Sequence, residues 1–288
     1  MIDLHTHTTF SDGTLTPAQL VAAAAAMGLS AVAVTDHDTV DGLPEALTAG
    51  ERLDFRVVSG VEINLEHERV TMDMLGYFLG GRPSAALEGQ LAELRRYRDQ
   101  RNARIVERLA GLGLPLDPVD LAEAAGDGAI GRPHIGLALM RRGHVDSVSD
   151  AFRLYLRRGA PAWVDRCRLS LHAAVRLLSD CGGLAVLAHP GLIRVDPSGS
   201  GSLAGLVRDA VTAGIAGLEC YHPLHDEETI ETCLALAARH DLVVTGGSDF
   251  HGAIKPDIRL GAGPGGMTFP DEMLAELTAR AGPHADSR

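Results

Sequence analysis

The sequence predicts an α/β fold made of parallel βα units with one helical insertion. Short runs rich in Leu and β-branched residues alternate with helical stretches, which is typical of parallel βα units rather than a β-sandwich. Seven segments qualify as strands, at residues 2–5, 31–35, 57–61, 70–78, 184–188, 215–219 and 242–245. A chain of 288 residues is long for one domain, but single-domain barrels of about 250 residues are common.

Helix signals fill the intervals between these strands. Thr16, Pro17 and Gln19 match a capping box with proline at the first helical position, and Gly28 ends the Ala-rich helix that follows. Later helices are predicted over residues 170–181, 203–213, 226–240 and 270–281. Residues 81–168 contain no convincing strand and open with a long, arginine-rich helix over residues 84–112. We therefore predict a barrel domain formed by residues 1–80 and 169–288, and a helical insertion formed by residues 81–168.

Composition and charge restrict the partners of the protein. The formal net charge of −12 opposes non-specific binding to duplex DNA, so an anionic substrate needs a local cluster of cations, which bound metal can supply. The four cysteines show no CxxC spacing and are expected as free thiols in a reducing cytoplasm. We expect neither a signal peptide nor a membrane span, because the N-terminal residues lead directly into a strand-like segment and no apolar run is long enough to span a bilayer. We expect a cytoplasmic protein without duplex DNA or membrane partners.

Residues of metal-ligand type recur where the predicted strands end. They are His5, His7 and Asp12; Asp36, His37 and Asp38; Glu62; Asp73, within the fourth strand; His189; Glu219 and His222; and Asp249 and His251. Because His5 and His7 are two positions apart on an extended chain, both imidazoles point to the same side. Buried carboxylates are costly without compensating cations, and barrel active sites lie at the C-terminal ends of the strands. The pattern predicts a centre for Zn, Mn or Fe(II).

The order of these motifs resembles that of the PHP (polymerase and histidinol phosphatase) family. The motifs are Asp3-Leu4-His5-Thr6-His7, Ser11-Asp12-Gly13, Thr35-Asp36-His37-Asp38, Gly60-Val61-Glu62, Ala188-His189-Pro190 and Gly247-Ser248-Asp249-Phe250-His251. The resemblance implies a distorted seven-stranded (β/α) barrel whose metals serve phosphoester hydrolysis. Within the family, the chain looks most like the branch with a helical insertion, which contains 3′,5′-nucleoside bisphosphate phosphatases and exonucleases acting on short RNA.

The resemblance also implies a set of ligands for two or three divalent ions. His5, His7, Glu62 and Asp249 would hold the first metal. Glu62 would bridge to a second, completed by Asp73 and His189, while Asp12, His37 and His251 would hold a third. Manganese is the expected metal, with iron and zinc as alternatives, since imidazole and carboxylate suit all three.

The sequence departs from the family pattern at two positions. At Asp73 the family usually has histidine, and the extra carboxylate adds negative charge at the second metal. After His189-Pro190-Gly191 the nucleotide phosphatases often have arginine, whereas this chain has Leu192, with Arg194 two positions later.

Candidate substrate-binding groups lie outside the ligand set. Arg132 and His134 in Gly131-Arg132-Pro133-His134 are expected to bind a phosphate that is not cleaved, because a guanidinium suits bidentate phosphate binding. Lys255 and Arg194 are further candidate substrate cations. His222 is expected to act as general acid for the leaving oxygen or to support a metal ligand.

The predicted function is that of a metal-dependent phosphoesterase. Metal-activated hydroxide would hydrolyse phosphate monoesters or diesters of small nucleotides or short oligonucleotides, such as 3′,5′-nucleoside bisphosphates. One alternative is a metal-dependent amidohydrolase acting on C–N bonds, but those barrels usually need a bridging lysine at a strand end, and lysine is very scarce here. The other is a non-catalytic PHP-like interaction module, which would be expected to have lost several ligands.

Overall fold

The fold is described from a computed structural model, in which residues 1–125, 130–165, 168–194 and 202–282 are defined. The chain forms two compact units, one comprising Met1–Gln90 with Arg168–Arg288 and the other Leu91–Cys167. The predicted domain boundaries, after residues 80 and 168, stay a prediction, because compactness alone does not show that either part folds independently.

The strands in the defined part of the first unit form one nearly closed sheet. They are β1 (Ile2–Asp3), β2 (Ala31–Val34), β3 (Arg56–His67), β4 (Val70–Phe78), β5 (Leu169–Ser170), β6 (Leu184–Leu187), β7 (Gly217–Tyr221) and β8 (Val243–Gly246). Seven of them follow the order β1-β2-β3-β4-β6-β7-β8, and β5 pairs with β3 off this path. Beyond the ends of β8 and β1, the Asp249 N–H donates to the His5 carbonyl, and the His7 N–H donates to the Phe250 carbonyl. The predicted fold class, a distorted seven-stranded (β/α) barrel, is confirmed.

The helices confirm the predicted intervals, to within one or two residues at their ends. Those defined are α1 (Pro17–Ala26), α2 (Leu43–Leu53), α3 (Ala85–Gly111), α4 (Pro118–Ala125), α5 (Arg132–Arg141), α6 (Val148–Ala151), α7 (Leu171–Asp180), α8 (Leu203–Ala213), α9 (Glu227–Arg239) and α10 (Glu272–Ala281). At α1 the capping box is formed, since the Gln19 N–H donates to Thr16 Oγ1 and the Thr16 N–H donates to Gln19 Oε1. Helix α2 was not predicted, because the residue before it, Gly42, provides no side-chain cap.

The prediction of parallel units fails at β4, which runs antiparallel to both β3 and β6. Only Glu68 and Arg69 connect β3 to β4, and both adopt left-handed backbone angles, with φ of 47° and 70°. Two such residues make the tight turn that suits a twisted hairpin. Because β4 is reversed, its first half lies beside the second half of β3, and Asp73 pairs with Asn64. This reversal explains why a candidate ligand lies within the fourth strand rather than at its end.

Each unit has its own apolar core. The barrel interior is filled by side chains that include Leu4, Leu75, Tyr77, Val186 and Phe269. The second unit packs around a separate cluster that includes Ile105, Leu109, Ile135, Leu139 and Leu156. Cys181, Cys220 and Cys233 are free thiols, while Cys167 lies outside the defined residues. No defined helix combines the length and the apolar character needed to cross a bilayer.

Candidate metal centre

Side chains that follow several strands converge at one end of the barrel. Three overlapping groups of ligand atoms lie there, each with its atoms within 4.8 Å of one another. The groups are His5, Glu62 and His189; His5, His7 and Asp249; and His7, Asp12, His37 and His251. Because the groups share His5 and His7, they form one continuous cluster, and the structure brings together all of the predicted ligands except Asp73 in these groups.

Glu62 lies at the centre of this cluster. Its Oε2 atom is 3.3 Å from Nε2 of His5 and 3.3 Å from Nε2 of His7. The same oxygen is 3.0 Å from Nδ1 of His37, and Oε1 is 2.9 Å from Nε2 of His189. One carboxylate thus contacts residues of all three groups, as a ligand shared between neighbouring ions must.

Two aspartates complete the outer parts of the cluster. The Oδ1 atom of Asp249 lies 3.2 Å from Nε2 of His7 and 3.6 Å from Nε2 of His5. The Oδ1 atom of Asp12 lies 3.3 Å from Nε2 of His251, and its Oδ2 atom lies 3.7 Å from Nε2 of His37. Each aspartate is therefore placed between two imidazoles.

The hydrogen bonding of the cluster fits bound metal. Nε2 of His5, Nε2 of His7, Oε2 of Glu62 and Oδ1 of Asp12 are buried and have no hydrogen-bond partner. Buried polar atoms are almost always paired, because leaving them unpaired costs free energy. Divalent cations would satisfy these nitrogen and oxygen atoms together, and the imidazole and carboxylate donors suit Mn, Fe(II) or Zn.

Glu219 supports two histidines from behind. Its Oε1 atom is 2.9 Å from Nδ1 of His5, and its Oε2 atom accepts the backbone N–H of His189 at 2.7 Å. A carboxylate on one imidazole nitrogen fixes the ring so that the other nitrogen faces the metal. Reasoning from the sequence placed Glu219 at a strand end but gave it no role. The signal was a carboxylate at the end of a buried strand.

Two further buried carboxylates tie the ligand loops together. Asp36 accepts hydrogen bonds from the backbone N–H of Thr8 at 2.7 Å and from its hydroxyl at 2.6 Å. Asp3 accepts from the N–H of Ser248 at 2.9 Å, from the hydroxyl of Ser248 at 2.6 Å and from the N–H of Gly261 at 2.7 Å. Asp3 thus links the strand before His5 to the residue before Asp249. The predicted motifs contained both aspartates without identifying these roles.

The backbone is strained at two candidate ligands. His189 and Asp249 have φ angles of 26° and 52°, in the left-handed region that side chains with a Cβ rarely adopt. Such conformations cost about 1–3 kcal/mol each and persist only where the surroundings enforce them. Here the N–H of His189 is held by Glu219 and the N–H of Asp249 by the His5 carbonyl.

Burial and mutual charge perturb the titration of the cluster. Burial lowers the pKa of His37, but the carboxylates of Glu62 and Asp12 raise it to about 10. Burial also lowers the pKa of His189, and the hydrogen bond and charge of Glu62 raise it to about 9. For Glu62, burial raises the pKa, but His37 and His5 hold it well below the usual range. Without metal, the protonated rings of His37 and His189 therefore face the ionised carboxylate of Glu62.

Binding of Mn(II) to the metal-free protein should release protons and should strengthen as the pH rises from 7 to about 9. A metal-bound imidazole must be neutral, whereas the raised pKa values of His37 and His189 keep both rings protonated at pH 7 when metal is absent. Titration calorimetry in two buffers of different ionisation enthalpy measures the protons released. An Mn(II) affinity that stays constant over this pH range would argue against these rings as ligands.

Asp73 lies at the edge of the cluster. Its Oδ2 atom is 3.9 Å from Nε2 of His189, and its Oδ1 atom accepts a hydrogen bond from Nδ2 of Asn64 at 2.7 Å. Burial, and then the charge of Glu62, raise its pKa, because both disfavour a second carboxylate in this place. Its role as a ligand of the second metal stays a prediction.

His222 and Lys255 both contact Asp249. Nδ1 of His222 accepts the Leu224 N–H at 3.2 Å, which leaves Nε2 as the nitrogen that can donate, 3.5 Å from Oδ2 of Asp249. This geometry, with the ring 1% exposed, favours support of Asp249 over the role of general acid. The Lys255 ammonium lies 2.6 Å from Oδ2 of Asp249, and its contact with substrate stays a prediction.

The remaining predicted substrate residues have local contacts of their own. The guanidinium of Arg132, at the start of α5, lies 4.6 Å from the ring centroid of Trp163, in cation–π contact. Nδ1 of His134 accepts the N–H of Gly131 at 3.0 Å and so caps α5. Arg194 is exposed. Phosphate binding by these three residues stays a prediction.

Comparisons with known proteins agree with this geometry. The PHP domain family matches residues 3–157. The chain is 35% identical over 260 residues to a 3′,5′-nucleoside bisphosphate phosphatase from Chromobacterium violaceum, with 87% of each sequence covered. It is 32% identical over 252 residues to a 5′-3′ exoribonuclease from Haemophilus influenzae, covering 86% of this chain and 89% of that relative. A protein from Bifidobacterium adolescentis described as a metal-dependent phosphoesterase superposes with a TM-score of 0.79 and 34% identity, covering 97% of this chain and 96% of the other.

Proposed function

Since the chain belongs to the PHP family and is a metal-dependent phosphoesterase, we propose that it hydrolyses small nucleotides that carry a terminal phosphate, such as 3′,5′-nucleoside bisphosphates, or the ends of short oligonucleotides. The observation that carries the proposal is the cluster around Glu62, whose buried and unpaired nitrogen and oxygen atoms match the donors of a centre with several metals. The names of the phosphatase and exoribonuclease relatives support the nucleotide class.

The charge of the chain supports the small size of the substrate. A net charge of −12 opposes long polyanions, and counterion release favours them only when many phosphates are contacted. Divalent ions held by the cluster would concentrate positive charge at one point, which suits a single terminal phosphate.

The residues divide the catalytic work between holding metal and positioning the substrate. Divalent ions at the cluster, with manganese as the proposed metal, would lower the pKa of a water molecule and neutralise phosphate oxygens. Glu219 fixes the ring of His5, while Lys255 and His222 hold the outer oxygen of Asp249 so that its inner oxygen faces the cluster. Arg132 and His134 are proposed to hold a phosphate that is not cleaved, which would orient the reacting one.

Two alternatives are less consistent with the chain. An amidohydrolase of the bridging-lysine type needs a lysine at a strand end, but Lys255 is the only lysine in the sequence, and it lies beyond β8 in contact with Asp249. A non-catalytic module would be expected to have lost ligands, whereas the cluster retains histidine or carboxylate in all three groups.

A substrate panel tests the proposal. Purified protein with Mn(II) should release phosphate from nucleoside 3′,5′-bisphosphates and shorten short RNA. It should leave closed circular duplex DNA and amide substrates intact. Efficient cutting of the closed circular duplex would defeat the argument from size. Cleavage of amides without any phosphoester hydrolysis under Mn(II), Fe(II) or Zn(II) would overturn the proposed function.

Replacing Arg132 by alanine should raise KM strongly for nucleoside bisphosphates and hardly change it for p-nitrophenyl phosphate. The reason is that p-nitrophenyl phosphate has no second phosphate to lose its contact. A guanidinium–phosphate hydrogen bond contributes about 1.5–3 kcal/mol, which corresponds to roughly a tenfold to a hundredfold rise in KM. Steady-state kinetics on both substrates make the measurement.

Arg141→Ala, at the other end of α5, is the matched control and should leave both values unchanged. Equal losses on the two substrates in Arg132→Ala would instead place Arg132 at the reacting phosphate.

A further inference from the structure

Asp73 is held by a row of side chains that reaches across three neighbouring strands. In the hairpin, Asn64 of β3 lies directly opposite Asp73 of β4. On the other side of β3, β5 pairs in parallel, with Leu169 opposite Leu65, and thereby brings Arg168 alongside. Sheet register alone therefore lines up Asp73, Asn64 and Arg168.

The hydrogen bonds along this row have a fixed direction. Nε of Arg168 donates to Oδ1 of Asn64 at 2.8 Å, and Nδ2 of Asn64 donates to Oδ1 of Asp73 at 2.7 Å. Because a guanidinium can only donate, the Asn64 oxygen must face Arg168, and its amino group must face Asp73. The amide orientation is therefore determined by chemistry.

Arg168 is itself anchored. Its side chain is 8% exposed, and its Nη1 atom donates to Oε2 of Glu66 at 2.9 Å. A buried guanidinium that is bound to a carboxylate and an amide has little freedom to turn. It gives the row a rigid end.

The row leaves the two oxygens of Asp73 in different situations. Oδ1 is occupied by the Asn64 amide, while Oδ2 faces Nε2 of His189 at 3.9 Å. A carboxylate held in this way offers one oxygen, in one direction, towards the part of the cluster formed by His189 and Glu62.

We propose that Asn64 and Arg168 are positioning residues that fix Asp73 as a single-oxygen ligand of the metal held by His189 and Glu62. The proposal rests on the proposed function, because it requires that metal to bind. A histidine at position 73 would not use the row in this way, since an imidazole can present only one nitrogen to a metal, whereas a carboxylate can present either or both of its oxygens. The row is thus specific to the aspartate.

The test compares Asn64→Leu in two backgrounds, the natural Asp73 chain and Asp73→His. In the natural chain, Asn64→Leu should weaken binding of the last Mn(II) ion to the metal-free protein by roughly tenfold to a hundredfold, as loss of a residue behind a metal ligand does. In the Asp73→His background, the same change should alter Mn(II) affinity by less than about threefold, a free-energy change under 0.7 kcal/mol. Direct titration with Mn(II) and metal analysis measure both, independently of catalysis.

Two further variants complete the design. Arg168→Met should also weaken Mn(II) binding, but by less than Asn64→Leu does, because the Asn64 amide is still present and loses only the guanidinium that anchors it. It also replaces Asn64→Leu if that variant does not fold, as judged by thermal unfolding of the metal-free proteins. Thr71→Val, an exposed position on β4, is the matched control and should leave Mn(II) affinity unchanged.

The outcomes separate this proposal from the function on which it rests. Unchanged Mn(II) affinity in Asn64→Leu, or equal losses in both backgrounds, would overturn the positioning role while leaving the metal centre intact. Failure of the natural chain to bind metal or to hydrolyse any phosphoester would instead overturn the proposed function.

Discussion

Replacing Glu62 by alanine should remove bound metal from the cluster and lower the rate of phosphoester hydrolysis by roughly a thousandfold or more. Loss of one preorganised electrostatic contact can by itself lower a rate by up to about a thousandfold. Glu62 contacts His5, His7, His37 and His189, so its removal disturbs all three ligand groups together. The same change removes the charge that raises the pKa of His37 and His189, so these rings lose their protons more easily, and the loss of metal comes from the missing carboxylate ligand. Metal analysis of the purified variant and rates measured with added Mn(II) make the measurement.

Chelation of the natural protein should abolish hydrolysis, and added Mn(II) should restore it. His7→Ala and Asp249→Ala should behave like Glu62→Ala, while Glu51→Ala, on the exposed surface of α2, is the matched control. Thermal unfolding distinguishes loss of metal from loss of fold. Full activity in metal-free protein, or normal metal content in Glu62→Ala, would show that the cluster is not the catalytic centre.

Asp3→Ala should lower the free energy of unfolding by about 3 kcal/mol or more, because each buried donor left without its acceptor costs roughly 1–3 kcal/mol. The N–H groups of Ser248 and Gly261 would both lose the carboxylate that accepts them. Asp3→Asn should cost less, since one oxygen can still accept from Ser248 while the amino group opposes the Gly261 N–H. Urea denaturation of the three metal-free proteins gives the free energies.

Asp241→Asn is the control for this series. Asp241 is exposed and has a left-handed φ of 54°, which asparagine adopts readily. The free energy of unfolding of Asp241→Asn should therefore change by less than about 0.5 kcal/mol. An Asp3→Ala protein as stable as the natural one would mean that water or a shifted loop satisfies both N–H groups. The carboxylate would then not be what ties β1 to the segment before Asp249.

Local patterns were enough to predict the barrel and the residues that meet at its end. The predicted strands are short and apolar, and all but the fourth, which contains Asp73, end in or are followed by polar residues that a buried strand end cannot tolerate without a purpose. His5 and His7 share a side because a strand alternates its faces. Parallel strands bring their C-terminal ends together, so ligands distant in sequence become neighbours in space. The capping box of α1 was predicted for a similar reason, since it depends on four adjacent residues.

The features that the sequence did not reveal depend on partners distant in the chain. The reversal of β4 follows from a two-residue turn at Glu68 and Arg69, neither of which is a typical residue for left-handed backbone. Strand β5 has two residues and exists only because β3 extends far enough to pair with it. Glu219 and Asp3 acquire their roles from groups that fold onto them. Such contacts leave no periodic trace in the sequence.

The seam between β8 and β1 has a consequence for how the chain is made. Strand β1 pairs with β2 along one edge. Its other edge is covered by the segments around Phe250 and Phe269, which are synthesised long after β1. Until those residues emerge from the ribosome, an apolar strand edge stays open beside His5 and His7. Open edges pair readily with other chains, and contacts this distant in sequence form slowly. A nascent or truncated chain that lacks the last strand therefore exposes an unpaired strand edge, and with it an aggregation hazard, where the finished enzyme gathers its ligands.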